Sequence, residues 1–171
     1  MLVTADWCRM MARYNAWQNS GLFEIVAALP EDELLRDRGA WFGSILATLS
    51  HLLWADRTWM GRIRGDAPSL GGIPESVRMA PTAAAWAKAR RETDDDLLHW
   101  TAQLPDAALD QGLTWVPASG GPPRTQPLAI VVSHMFNHQT HHRGQVHAML
   151  TAAGVRPPPT DLIAMPHQGA I

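Results

Sequence analysis

Residues 133–150 read SHMFNHQTHHRGQVHAML, and this stretch holds five of the chain's eight histidines, at positions 134, 138, 141, 142 and 147. A histidine ring nitrogen can coordinate a divalent metal, and the ring titrates near neutrality. So many in one stretch exceed what packing requires. Thr125, Gln126 and Pro127 read as the start of a helix, because proline is tolerated in a first turn, and Gly154 reads as its stop near Ala153. At ~100° per residue, His142 lies ~40° from His138, His134 lies ~40° to the other side, His141 ~60° to that side and His147 ~180° away. Four of the five therefore share one side of the helix. A pair spaced by four on one face is the geometry with which helices bring two rings to one ion.

Working outward, Pro105 to Gln126 is punctuated by PASGGPP and suits a small irregular hairpin, with Gly112 to Val116 as its strand-like run. Before it, Pro81 and Thr82 open a helix to about Leu104 that places Trp86, Thr93, Leu97, Trp100 and Leu104 on one side. Its polar run ARRETDDD, residues 89–96, reads as solvated surface. Residues 66–80, DAPSLGGIPESVRMA, lack a clear period and form a long loop of the kind that serves as a lid or binding segment. Ser44 can cap a helix that Gly65 stops, with Ile45, Leu49, Leu52, Trp59 and Ile63 as its core stripe. A second face of that helix carries Ala47, Thr48, His51, Ala55 and Thr58, and the small residues leave room around the histidine. Nearest the start, Thr4 caps and Pro30 ends a helix striped by Trp7, Met10, Met11, Tyr14, Trp17, Ile25 and Val26. The end, from Val155 on, is too proline-rich to continue the last helix and is expected to lie over the bundle.

Four long amphipathic helices around one core make an all-α four-helix bundle, a single domain over residues 1–171. The connections 30–43 and 66–80 are longer than the ~2–8 residues usual between bundle helices, so long crossover connections are expected. Composition agrees. Apolar residues make up 46% and charged residues 18%, which fits a globular chain rather than a disordered one. The net charge of −2 with no basic block gives nucleic-acid binding no electrostatic support. The sequence lacks a continuous apolar run long enough for a membrane span and lacks a secretory leader pattern, so a cytoplasmic location is expected. Cys8 is the only cysteine, which rules out an intrachain disulfide and a cysteine-based zinc site; it reads as a small packing residue beside Trp7.

Two histidines would hold a metal weakly, and a third protein ligand with an open fourth position is the usual catalytic arrangement. His51 is the best candidate from the other helices. His99 follows an acidic run outside the core stripe, and His167 sits in the tail. Spacing alone does not choose the pair 138/142 over 134/138 or 138/141.

NHQTHHRGQV, from Asn137 to Val146, resembles the final-helix motif of the DinB family of metalloenzymes. SILATLSHLLWADRTWMGRIRG resembles that family's second helix with its single histidine, and RYNAWQN, from Arg13 to Asn19, its opening helix. The resemblance implies a four-helix bundle with unusual connectivity, often a homodimer, and a divalent metal, commonly nickel or zinc, on three histidines. Carried over by position, these are His51, His138 and His142. His141 stands where relatives often have an aromatic such as tyrosine, which leaves another imidazole near the site.

Gln145, ~20° from His138, lies on the site face, where it can orient a ligand or pack between helices. Arg143, ~140° away, suits a structural ion pair, with Asp56 as the suggested partner. Gly144 in mid-helix is explained if a neighbouring helix approaches closely. Three neutral imidazoles leave a divalent charge uncancelled, so a thiol or water at the open position becomes acidic. The resemblance to thiol-dependent transferases and isomerases suggests a small-molecule substrate and a low-molecular-weight thiol, with Trp54 and the 66–80 loop holding a hydrophobic electrophile. Metal-dependent hydrolysis and a non-catalytic, stress-related metal-binding bundle are the alternatives. The histidine face lacks a carboxylate, so the HExxH arrangement of helical proteases is absent.

Overall fold

The computed structural model describes residues 2–66 and 70–166, so His167 lies outside the described residues. In chain order the elements are α1 (Ala5–Ala28), α2 (Glu31–Leu35), α3 (Ile45–Arg64), α4 (Ile73–Ser76), α5 (Ala83–Gln103), α6 (Asp106–Leu109), β1 (Gly112–Trp115), β2 (Arg124–Pro127) and α7 (Leu128–Ala152). Short hydroxyl side chains set three of the long helices. Thr4 Oγ1 accepts from the Trp7 N–H at 3.1 Å, Ser44 Oγ from Ala47 at 3.2 Å and Thr82 Oγ1 from Ala85 at 3.1 Å. Each satisfies a backbone donor that the helix itself leaves free, worth about 1 kcal/mol. Gly65 closes α3 with φ 77°, a left-handed turn that glycine enters without a Cβ penalty.

The last helix begins at Leu128, three residues later than the start at Thr125 that its sequence suggests. Thr125, Gln126 and Pro127 belong to β2, which pairs antiparallel with β1 in the register Gly112↔Pro127 to Trp115↔Arg124. Leu128 N–H donates to the Gln111 carbonyl at 2.8 Å, so the hairpin's hydrogen bonds hold the chain extended up to the proline. The expected hairpin is thus present, and it abuts the start of α7. The short helices α2, α4 and α6 sit in stretches that read as connections.

Two apolar clusters fill the bundle. One joins Ala5, Cys8 and Ala12 of α1 with Met60, Leu97, Leu104 and Val131, Val132, Met135 and Phe136 of α7. The other joins Leu22 and Val26 with Ile45, Leu49, Leu53, Trp86, Val146, Met149 and Leu150. The first therefore gathers the starts of α1 and α7 with the ends of α3 and α5, and the second gathers the opposite ends. Hence α1 and α7 run one way, and α3 and α5 the other. Only the connection between α3 and α5 must traverse the bundle. The connection between α1 and α3, despite its length, joins neighbouring ends.

Between the clusters lies a belt of buried polar residues from all four long helices. Arg90 Nη1 donates to Asp56 Oδ2 at 2.6 Å, and its Nη2 lies 2.9 Å from Asp94 Oδ1. Asn15 and Asn19 donate to Asp94 at 2.8 and 3.0 Å, and Gln139 donates to Asp56 Oδ1 at 2.9 Å. Arg143 donates to Asn15 Oδ1. Two sequence expectations change here. Arg90, Thr93 and Asp94, inside the supposedly solvated ARRETDDD run, are buried, while Arg91, Glu92, Asp95 and Asp96 are exposed. Helical rotation divides one charged run between core and solvent. Arg143 is structural as expected, but Asn15 and the face of Tyr14 receive it, because Arg90 already occupies Asp56.

Gly144 also differs from expectation. A Cβ built there meets nothing within 4 Å, so no helix crowds it. The close approach is at Gly21, where Pro158 Cγ would stand 3.0 Å from such a Cβ. The proline-rich tail lies along α1, with Tyr14 Oη donating to the Thr160 carbonyl at 2.5 Å and Gln18 Nε2 to that of Pro159 at 2.9 Å.

Candidate metal centre

The packing of α3 against α7 brings His51 to His138 and His142. Their candidate ligand nitrogens all lie within 4.8 Å of one another, a grouping that could hold a metal ion. His51 Nε2 and His138 Nε2 are 3.2 Å apart, and the His138 and His142 ring centres are 4.4 Å apart. His51 and His142 are buried and His138 is half-buried. His134 and His141, the other members of the helix face, stay outside the group. The His134 ring meets Trp59 edge-on at 5.4 Å, and His141 is exposed with Nε2 3.4 Å from Gln145 Nε2. His147 lies away from the cluster, among residues facing Tyr14 and Thr160. His99 pairs with Gln103 on the outer face of α5.

Hydrogen bonds around the rings decide which nitrogens are free. Ser76 Oγ donates to the Ile73 carbonyl at 2.6 Å, so toward His51 Nδ1, 2.7 Å away, it acts as acceptor. His51 therefore carries its proton on Nδ1 and presents a bare Nε2. Gln145 Oε1 can only accept, so His142 Nδ1, at 2.8 Å, is protonated and its Nε2 is bare as well. Partners of this kind fix the tautomer and ring orientation of metal-binding histidines. Among the described residues no such partner fixes His138: its Nε2–H can donate to His51 Nε2, 3.2 Å away, and shifting that proton to Nδ1 frees a third lone pair.

Burial keeps the rings neutral. It pushes His51 down to about 4, helped by the nearby His142, and His138 down to about 3, helped by His142 and His51. His142 is lowered too, chiefly by burial, with the Gln145 hydrogen bond acting in the opposite direction. A neutral imidazole is the form that binds metal, and three of them suit zinc, nickel, copper or iron rather than calcium or magnesium. The donor set fits a divalent transition ion.

Phe42 stacks on His51 with ring centres 3.9 Å apart and reaches His142 at 5.2 Å. It comes from the turn before α3. Phe42 and Ser76 both belong to the site and were not singled out in the sequence, because each lies in a connection where periodicity carries no information. The three histidines line a cavity of about 600 Å³, with Trp41, Trp54, Trp59 and Trp115 among its other walls. Trp54 Nε1 donates to the Leu70 carbonyl at 3.1 Å, which ties Leu70, in the connection after α3, to a wall residue of the cavity. Among the described residues, no aspartate or glutamate lines the cavity.

The comparisons with known proteins point one way. A family model described as DinB family matches residues 1–169. The protein named Protein DinB of Bacillus subtilis (strain 168) is 28% identical over 166 residues, covering 92% of each chain. The crystal structure of a DinB-like protein from Bacillus cereus ATCC 10987 superposes with a TM-score of 0.56 at 19% identity, covering 84% of this chain and 91% of that one, a likeness of fold.

Proposed function

From the premise that the chain belongs to the DinB family, we propose that it is a divalent-metal-binding protein, nickel or zinc on His51, His138 and His142, that transfers a low-molecular-weight thiol to an apolar electrophile. One observation supports this most: three neutral imidazoles converge on the floor of an open, largely apolar cavity. A divalent ion held by His51, His138 and His142 would lower the pKa of a thiol bound to it. The residues supply the rest. Ser76 and Gln145 hold two rings in the ligating tautomer. Phe42 covers the His51 face and limits water there. Trp54, Trp59 and Trp115 give the electrophile an apolar wall.

Thiol transfer is favoured over hydrolysis because the cavity walls are largely apolar and, among the described residues, offer no carboxylate to orient a water for attack. A thiol brings its own acidic proton, which leaves to solvent through the open mouth. The sulfur then forms a bond to the electrophilic carbon, and the leaving group departs with its electron pair. A non-catalytic metal store would need the three rings but not the cavity.

The test incubates metal-loaded protein with a panel of small thiols and a reactive aryl halide. Thioether formation faster than with free metal, lost in His142→Ala, is expected. Ester cleavage without any thiol-dependent rate gain would assign the site to hydrolysis instead.

A further inference from the structure

Three arginines of α3 divide between two environments. Arg57 and Arg64 reach across to α5, where Glu92 and Asp96 meet them at 3.4 and 3.2 Å. Arg62 turns the other way and lines the histidine cavity. Its guanidinium stacks 4.6 Å over Trp59 and donates one hydrogen bond, 3.1 Å, to the Val116 carbonyl, leaving most of its five donors unused. Among the described residues no carboxylate pairs with it. Half-burial without a counter-charge pulls its pKa below the usual arginine value. On the hairpin, Arg124 lines the same cavity and likewise makes no ion pair or side-chain hydrogen bond among the described residues. The adjoining cavity of about 540 Å³, which shares Arg62, Trp54 and Trp115, is also lined without an acid among the described residues.

An aromatic-walled cavity with a half-buried arginine, a second arginine at its exposed edge and no anion among its described lining residues is electrostatically incomplete. Opposite charge entering it gains from the focused field, and a carboxylate can take two parallel hydrogen bonds from a guanidinium. We infer that Arg62 and Arg124 form an anion subsite, so that one of the molecules bound beside the histidines is a carboxylate on an apolar body. The assignment rests on the metal-transferase reading for its purpose, but its binding chemistry does not depend on the metal. The carboxylate could belong to the thiol or to the electrophile, and both present the same group to the arginines.

The probes are 2-naphthoate and its neutral counterpart 2-naphthamide, titrated calorimetrically against the full chain with and without metal. The subsite predicts that naphthoate binds about tenfold tighter than naphthamide, with or without metal, and that Arg62→Gln and Arg124→Gln each remove much of this preference. Naphthamide affinity is the internal control. Damage to the hairpin lowers both ligands together, whereas loss of the subsite lowers only naphthoate, and Arg62→Lys should recover part of it. A preference that disappears with the metal but survives both glutamine variants places the carboxylate on the ion and overturns the subsite while leaving the metal site standing. If the native chain takes up no metal while the preference remains, the transferase reading is overturned and the subsite is retained. With 3-mercaptopropionate present, competition against naphthoate assigns the carboxylate to the thiol, and simultaneous binding assigns it to the electrophile. No discrimination between naphthoate and naphthamide in any form overturns the subsite outright.

Discussion

The belt at the middle of the bundle draws on all four long helices and the histidine cluster beside it on two of them, α3 and α7, where the two regions often use adjacent residues. Gln139 follows His138, Arg143 follows His142, and Asp56 lies five positions after His51. A ~100° step around the helix separates a side chain aimed into the belt from one aimed at the cavity. Their chemistry then diverges. In the belt, Arg90 and Arg143 balance Asp56 and Asp94, and the polar groups mostly satisfy one another. In the cluster, Ser76 and Gln145 hold the outer nitrogens of His51 and His142, and the inner nitrogens face one another, with the His51–His138 contact as their only hydrogen bond among the described residues. Buried polar groups that are mutually paired fix helix register; those left with converging lone pairs are available to a ligand. By holding Asp56 against Gln139, the belt also sets the register in which α3 and α7 present their rings.

Substitution should separate the two regions sharply. His51→Ala should abolish stoichiometric metal while lowering the stability of metal-free protein by only about 1 kcal/mol in urea unfolding. Arg90→Met should do the reverse in the same assay, costing about 3–5 kcal/mol because it leaves buried carboxylates without their cation. Equal stability losses from both changes would erase the distinction.

Ser76→Ala and Gln145→Ala probe the boundary of the cluster. Each should weaken metal binding by about 10–100-fold in a chelator competition, with little change in the fold. An unchanged affinity in both would mean that the tautomers are not held as the hydrogen bonds imply.

Acid should act on the cluster through linkage. His51 and His138 titrate near 4 and 3 in the folded protein against 6.5 for a free ring, so between these values the unfolded chain binds more protons. Metal-free protein should therefore lose stability as pH falls from about 6.5 toward 4, read as a declining urea midpoint. His51→Ala should flatten part of that slope, whereas a slope unaffected by removing the ring would place the titration elsewhere.

The smallest effect expected is at Gly144, next to Arg143. Because a Cβ there meets open space, Gly144→Ala should stabilise α7 by up to about 1 kcal/mol without affecting metal affinity. A loss of stability would restore the crowding that the sequence suggested.

Much of this was legible beforehand. The caps at Thr4, Ser44 and Thr82, the stop at Gly65 and the apolar stripes of α3 and α5 follow from local rules, whereas α1 buries Ala5, Cys8, Ala12, Leu22 and Val26 and leaves Trp7, Met10, Met11, Trp17 and Ile25 of its expected stripe half-buried. The spacing of His138 and His142 marked one side of the site. What eluded the sequence depends on tertiary contact. The burial of Arg90 and Asp94 depends on which side of α5 meets α1 and α3, and a run of charges hides that. Pro127 suits a strand end as well as a first helical turn, so only the pairing with Gly112 decides. Ser76 and Phe42 reach the histidines from irregular segments, and their roles arise from the crossover and from the turn before α3.

Metal content tests the three-histidine centre most directly. Protein prepared without an affinity tag and dialysed against a weak chelator should retain about one nickel or zinc ion per chain, and His142→Ala should retain almost none. Failure of the native chain to hold stoichiometric metal after loading, or equal retention by His142→Ala, would contradict a metal centre on His51, His138 and His142.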